Sequence, residues 1–201
     1  MKKQSVNKLD SRKLRRKKIL VTGGSGDLGK SLIPKLISKG FDCVSISRNS
    51  NVKKLVKNIK CDITNFRKLQ SIIDKFKPDI IIHLAGLTGN IACETNPEKA
   101  FLTNVFGTLN ILKSSTKLKP KIIFISTGEI YGQTKNKVNE RALAKPVNVY
   151  GVTKMISENL ILNYSDDYKT PAIILRFSYC YSENFTKRGF SSMFKKAVRG
   201  E

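Results

Sequence analysis

From Lys18 onward, short runs of consecutive apolar residues rich in Ile and Val alternate with longer segments whose apolar residues recur every three or four positions. Continuous runs suit strands buried on both faces, and the wider spacing suits helices that bury one stripe. Strands are predicted over 19–22, 43–47, 58–61, 80–84, 122–126 and 172–177. The helical stripes between them include Leu28, Leu32 and Leu36, then Phe66, Leu69 and Ile73, then Phe101, Val105, Leu109 and Leu112. Pro34 falls inside the first stripe, where the missing N–H predicts a kink. This βαβ rhythm predicts an α/β fold built on a parallel sheet. The longest break, 133–148, is expected to border a site.

A chain of 201 residues with 40% apolar and 26% charged side chains fits one soluble globular domain. No apolar run approaches the roughly 18 residues that a bilayer span needs, so no membrane partner is expected. Charge changes the picture more: 38 Lys and Arg against 15 Asp and Glu leave +23. Residues 1–17, with Asp10 as their lone acid, form a basic tail expected to be disordered. The remaining excess is mostly Lys among Ile and Asn, without interleaved aromatics, and reads either as compositional bias or as affinity for a polyanion such as RNA. Cys43, Cys61, Cys93 and Cys180 show neither CxxC pairing nor metal-ligand spacing, which predicts a reduced, cytoplasmic chain without a metal site.

Candidate chemistry begins with "ILVTGGSGDLGKSL", where Gly23, Gly26 and Gly29 follow the first strand and open a helix. One glycine permits a sharp turn, one lets backbone approach a pyrophosphate, and one lets the helix pack close, while the free N–H groups of the helix start attract phosphate. Such a turn predicts dinucleotide binding on a doubly wound parallel sheet, the Rossmann fold, with helices on both faces. The second strand then ends in Ser47 and Arg48. A hydroxyl and a guanidinium there suit a 2′-phosphate, and no carboxylate repels it, so NADP is favoured over NAD.

"VYGVTK" sets Tyr150 and Lys154 four residues apart on a predicted helix, hence on one face. An ammonium beside a phenol favours the phenolate and makes tyrosine a usable acid or base near neutrality. In "FISTGEIYG", Thr127 is placed just past the fifth strand, where its hydroxyl can polarise a substrate alcohol or ketone. Ser126 is its neighbour and an alternative for that part.

Taken together, these motifs resemble the extended short-chain dehydrogenase/reductases, the NAD(P)-dependent epimerase/dehydratase family that acts on nucleotide sugars. The resemblance runs from Lys18 to Glu201 and takes in "CDITN", "KPDIIIHLAG", "NPEKAFLTNVFGTLNIL" and "ILRF" with Arg176. It implies cofactor contacts at Asp27, Leu28, Asp62, Ile63, Leu84, Ala85, Gly86 and Asn104 besides the three glycines, Ser47, Arg48, Tyr150 and Lys154. It implies a structural role for His83. The reaction implied is transient oxidation of a sugar hydroxyl, followed by epimerisation, elimination, decarboxylation or reduction.

Departures from the family pattern sharpen these expectations. Family dehydratases resemble "STDEVYG", with the Asp as acid and the Glu as base; here Glu129 stands beside Gly128, so ordinary 4,6-dehydration is not expected. Glu129 reads equally as a base or as a loop carboxylate. After "LRF" the family's Asn and its Tyr-Gly-Pro turn are replaced by Tyr179 and Ser182. "GFSSMFKKAVRGE" resembles the opening of the family's substrate-binding portion, and the sequence ends there. Two readings follow: an enzyme completed by self-association or a second chain, or an inactive cofactor-binding remnant or basic accessory protein that holds a polyanion such as RNA.

Overall fold

The computed structural model describes residues 17–49, 56–134, 137–178, 180 and 196–197. The basic tail before Lys17, with Tyr179 and Ser182, lies outside the described residues. Among the described residues, six strands, β1 (Lys18–Thr22), β2 (Asp42–Ser47), β3 (Lys57–Lys60), β4 (Ile80–His83), β5 (Lys121–Thr127) and β6 (Ala172–Phe177), form one sheet in the order β3-β2-β1-β4-β5-β6. Every pairing is parallel. This is the doubly wound Rossmann order, in which the chain reverses direction across the sheet between β1 and β4 and opens a crevice at their carboxyl ends.

The helices are α1 (Asp27–Ser38), α2 (Phe66–Phe76), α3 (Asn90–Thr95), α4 (Pro97–Ala100), α5 (Gly107–Ser115) and α6 (Val149–Tyr168). A π-helical stretch, Phe101–Phe106, joins α4 to α5, so the backbone coils continuously over 97–115. A 3₁₀ turn, Gly128–Tyr131, follows β5. Alternation along β1 explains the two layers. Ile19 and Val21 pack with Ile33 of α1 on one face. On the other, Leu20 packs with Leu69 and Ile73 of α2 and Ile111 of α5. Further along that second face, Ile122 and Phe124 meet Leu112 of α5 and Ile161 of α6.

α1 runs through Pro34 as one helix of 12 residues, with Ile33, Leu32 and Leu36 packed on the sheet on either side of the lost hydrogen bond. One expectation needs correction. Thr127 does not lie past β5 but is its last residue, since pairing with Phe177 extends the ladder that far.

Candidate functional site

The glycine turn between β1 and α1 has the shape its sequence demands. Gly23 takes φ +72°, and a Cβ there would lie 2.7 Å from the Ala85 nitrogen on the neighbouring β4 edge. A Cβ on Gly29 would stand 2.5 Å from the Gly24 Cα, so its absence lets α1 sit directly on the turn. Gly26 is the N-cap of α1 and brings no side chain to its first amides. With Asp27 and Leu28 it lines a cleft of about 440 Å³ at the carboxyl edge of the sheet. Bare glycine backbone at an uncapped helix start fits the phosphates of a dinucleotide.

At the β2 end of the cleft, Arg48 is exposed and lines the wall. The Ser47 hydroxyl is engaged locally: it donates to the Asn49 carbonyl at 2.6 Å and lies 3.1 Å from Asn58 Oδ1. Asp62 accepts both the amide and the hydroxyl of Thr64 at Oδ1, each at 2.9 Å, which fixes the loop after β3. That loop buries Ile63 against Gly107, and Asn110 Nδ2 holds the Ile63 carbonyl at 3.0 Å.

Leu84, Ala85 and Gly86 form the floor, and a buried chain of hydrogen bonds fixes their height. Ala85 N–H donates to Thr22 Oγ1 at 3.1 Å, which meets His83 Nδ1 at 2.8 Å. On the other side of the ring, His83 Nε2 meets Thr108 Oγ1 at 3.0 Å. Thr108 spends its proton on the Asn104 carbonyl at 2.5 Å, so it must accept from His83 Nε2–H. His83 Nδ1 is then the acceptor for Thr22, and every proton in the chain is assigned. Burial, followed by the charge of Lys154, pushes the His83 pKa down to about 3, so the ring stays neutral.

Asn104, expected at the cofactor, instead sits behind the wall at 3% exposure, outside the lining of the cleft. Its Oδ1 takes Leu87 N–H at 2.7 Å, and its Nδ2 gives to the Leu87 carbonyl and to Thr153 Oγ1, each at 3.0 Å. Its own carbonyl also accepts from Ser157 at 2.9 Å. Asn104 lies in the π-helical stretch, whose wider turn frees backbone and side chain to reach the loop after β4 and α6 at once. Thr22, Thr108, Thr153 and Ser157 were not legible as site residues, because hydroxyls far apart in sequence carry no spacing signal.

The cleft's other end gathers the predicted proton chemistry. Ser126, Thr127, Glu129, Tyr150 and Lys154 all line it. Thr127 Oγ1 caps the 3₁₀ turn by accepting Glu129 N–H at 3.2 Å, which leaves its own proton for the cleft. Ser126 leaves β5 on the opposite face, and its buried Oγ has no partner among the described residues. Glu129 is held by Asn148 Nδ2 at 2.9 Å, while Asn148 Oδ1 caps α6 through Gly151 N–H at 2.7 Å. Lys154 is 6% exposed; burial lowers its pKa to about 7, with Glu158 pulling the other way.

Arg176, outside the lining of the cleft, braces the elements behind it. It clasps Glu158 with Nη2 at 2.7 Å and Nε at 3.1 Å, and its Nη1 reaches the Tyr131 hydroxyl at 2.7 Å and the Glu140 carbonyl at 2.8 Å. β6, α6 and the loop beyond β5 are thereby tied together, and the carboxylate raises the guanidinium pKa still further. No helix among the described residues is long and apolar enough to cross a membrane.

Comparison with known proteins supports the family and the fold. The model of the NAD dependent epimerase/dehydratase family matches residues 19–201. The GDP-6-deoxy-D-talose 4-dehydrogenase of Aggregatibacter actinomycetemcomitans is 38% identical over 151 residues, 73% of this chain and 48% of that one. The solved UDP-glucose 4-epimerase of Thermotoga maritima with UDP-glucose aligns at a TM-score of 0.84 and 26% identity, over 92% of this chain and 64% of its own. The UDP-glucuronic acid 4-epimerase of Bacillus cereus, solved with UDP-glucuronic acid and NAD, aligns at 0.80 and 26%, with the same coverages of 92% and 64%. The chain spans about half the length of the curated relatives it matches.

Proposed function

Because this chain belongs to the NAD dependent epimerase/dehydratase family, we propose that it uses NADP(H) in preference to NAD(H) to reduce a keto group on a nucleotide sugar. One observation carries the reading: Thr127, Tyr150 and Lys154 meet the glycine turn in a single cleft at the strand ends. When bound, the cofactor supplies the hydride for the carbonyl carbon.

The chain's residues supply the rest. Thr127 orients the carbonyl oxygen with its free hydroxyl proton. Tyr150 gives its phenolic proton to that oxygen, and Lys154 stabilises the phenolate left behind until solvent restores it. The Asn104 clamp and the His83 chain hold the floor and α6 at a fixed separation while this happens.

Two features support net reduction over the family's other outcomes. Water elimination needs an acid for the departing hydroxyl, and Gly128 stands where dehydratases resemble an Asp. NADP preference, supported by exposed Arg48 and a β2 end without a carboxylate, suits an enzyme that draws reductant from a pool rather than recycling one bound cofactor. The relatives give no support to a polyanion-binding remnant. Whatever polypeptide walls the sugar pocket beyond Phe177 and Ser178, in this chain, a second copy or a partner, this edge supplies the redox half.

The test is calorimetric titration with NADPH and NADH, then absorbance of NADPH with a panel of nucleotide keto sugars and their alcohols. Tighter NADPH binding and stoichiometric oxidation with one keto sugar support the reading. Interconversion of two sugars without net NADPH loss would replace reduction by epimerisation, and absence of any cofactor binding would overturn the whole reading.

A further inference from the structure

We propose that the Phe124 ring is the seat of the Lys154 ammonium, a positioning residue that holds this charge in the cleft by cation–π attraction. Lys154 Nζ stands 3.9 Å from the centroid of the Phe124 ring, well within the range at which a ring face attracts a cation. The charged nitrogen lies over the ring centre, which is the cation–π arrangement. Nζ makes no hydrogen bond or ion pair with another described residue.

Two neighbours explain why the ring takes this part. Glu158 lies four residues beyond Lys154 on α6, the spacing of a helical ion pair, yet its carboxylate is turned onto Arg176 and held there at 2.7 Å. Phe124 is 1% exposed in the core beneath α6, so its face is dry and its attraction little screened. Behind it, across the β4–β5 pairing, the His83 ring lies at 5.4 Å. A protonated imidazole there would compete for the same ring, and burial together with the Lys154 charge keeps it neutral.

The charged and titratable groups around Lys154 are Tyr150 and Glu158 on its own helix, neutral His83 on β4, Glu129 after β5 and Arg176 on β6. The Glu158 charge opposes loss of the Lys154 proton from a distance while its carboxylate is held by Arg176, and the ring adds the direct contact that opposes the same loss. Weakening the face of the ring therefore lowers the pH at which Lys154 becomes neutral. The effect on turnover rests on Lys154 serving Tyr150 as proposed above; the titration of Lys154 itself does not.

The experiment replaces Phe124 in the full chain by 3,4,5-trifluorophenylalanine, which keeps the ring's shape and weakens its negative face. Phe124→Leu and Phe124→Tyr accompany it. The titration of Lys154 is followed by NMR in ¹³C-lysine protein, assigned with Lys154→Arg, and the alkaline limb of turnover is recorded beside it. The fluorinated ring and Phe124→Leu are expected to move the Lys154 midpoint down by about half a pH unit, and Phe124→Tyr to keep it. Should Phe124→Leu fail to fold, the fluorinated chain carries the test alone, because a ring that only fills space leaves the midpoint unmoved. An unmoved midpoint in fluorinated protein, or an equal shift in Phe124→Tyr, overturns the proposal. A shifted midpoint in a protein that turns over no sugar sustains it and counts against the functional reading instead.

Discussion

Asn104 grips the peptide of Leu87 at both ends, taking its N–H on Oδ1 at 2.7 Å and giving Nδ2 to its carbonyl at 3.0 Å. A third bond to Thr153 Oγ1 ties the same amide to α6, so one buried side chain sets the distance between the cleft floor and the helix that carries Tyr150 and Lys154.

Asn104→Ala is expected to leave the part-buried Leu87 N–H without its partner and the Leu87 carbonyl with only the Cys93 thiol at 3.6 Å, at a cost on the order of 1–3 kcal/mol. The melting temperature is expected to fall by several degrees. NADPH affinity is expected to fall with it, because the Leu87 segment borders the cleft. Asn104→Asp keeps the acceptor and loses the donor, setting a carboxylate against the Leu87 carbonyl, and is expected to be worse. Thermal melts with parallel NADPH titrations decide this; wild-type values for Asn104→Ala would show that the clamp positions nothing.

Thr127 and Ser126 separate by substitution. Thr127→Val is expected to reduce turnover about 10²–10³-fold, the usual loss for one donor aimed at a reacting oxygen, with cofactor affinity kept. Ser126→Ala is expected to cost less than about tenfold, since its hydroxyl leaves the strand on the face away from Thr127. Tyr150→Phe is expected to abolish turnover and spare cofactor binding. The reverse ranking of the two hydroxyl variants would move the substrate contact to Ser126, and unchanged turnover in Tyr150→Phe would remove it as the proton carrier.

Arg48→Asp tests the cofactor reading. Loss of a charge-assisted bond, about 1.5–3 kcal/mol, corresponds to a roughly 10–100-fold weaker affinity for NADPH. NADH, which lacks the 2′-phosphate, is expected to bind as before. Equal losses for both cofactors in the same calorimetric titration would assign Arg48 to the adenine or to the fold. Ser47→Ala is expected to matter less, because its proton already serves the Asn49 carbonyl.

The contrast between Gly23 and Asn104 shows what a chain makes legible. Gly23 follows an unbroken apolar run and precedes a helix stripe, so its position states its backbone demand. The six strands read the same way, because strands buried on both faces are continuous apolar words, and the observed bounds differ from the predicted ones by a residue or so at the ends. Asn104 lies in "FLTNVFG", whose spacing of Phe101, Val105 and Leu109 reads as an ordinary helix. The π-helical stretch over Phe101–Phe106 accompanies contacts to Leu87 and Thr153, 17 and 49 residues away. Such tertiary contacts leave no local pattern. The Thr22–His83–Thr108 chain is hidden for the same reason, although His83 itself was read as structural.

That chain makes stability pH-dependent through His83. The ring is held neutral with its pKa lowered from 6.5 to about 3, so between those values the unfolded chain binds the proton that the folded chain refuses. Stability is therefore complete above about pH 6.5 and is lost progressively as the pH falls toward 3, by an amount on the order of a few kcal/mol at the rate of about 1.4 kcal/mol per unit. His83→Gln offers an amide that donates and accepts without titrating. It is expected to be somewhat less stable at pH 7.5 and to lose less stability than the wild type between pH 6.5 and 4.5. Denaturant unfolding at both pH values for both proteins measures the difference. Parallel losses would mean that His83 takes up its proton without leaving the fold, and that the directions assigned to the Thr22 and Thr108 hydroxyls are reversible.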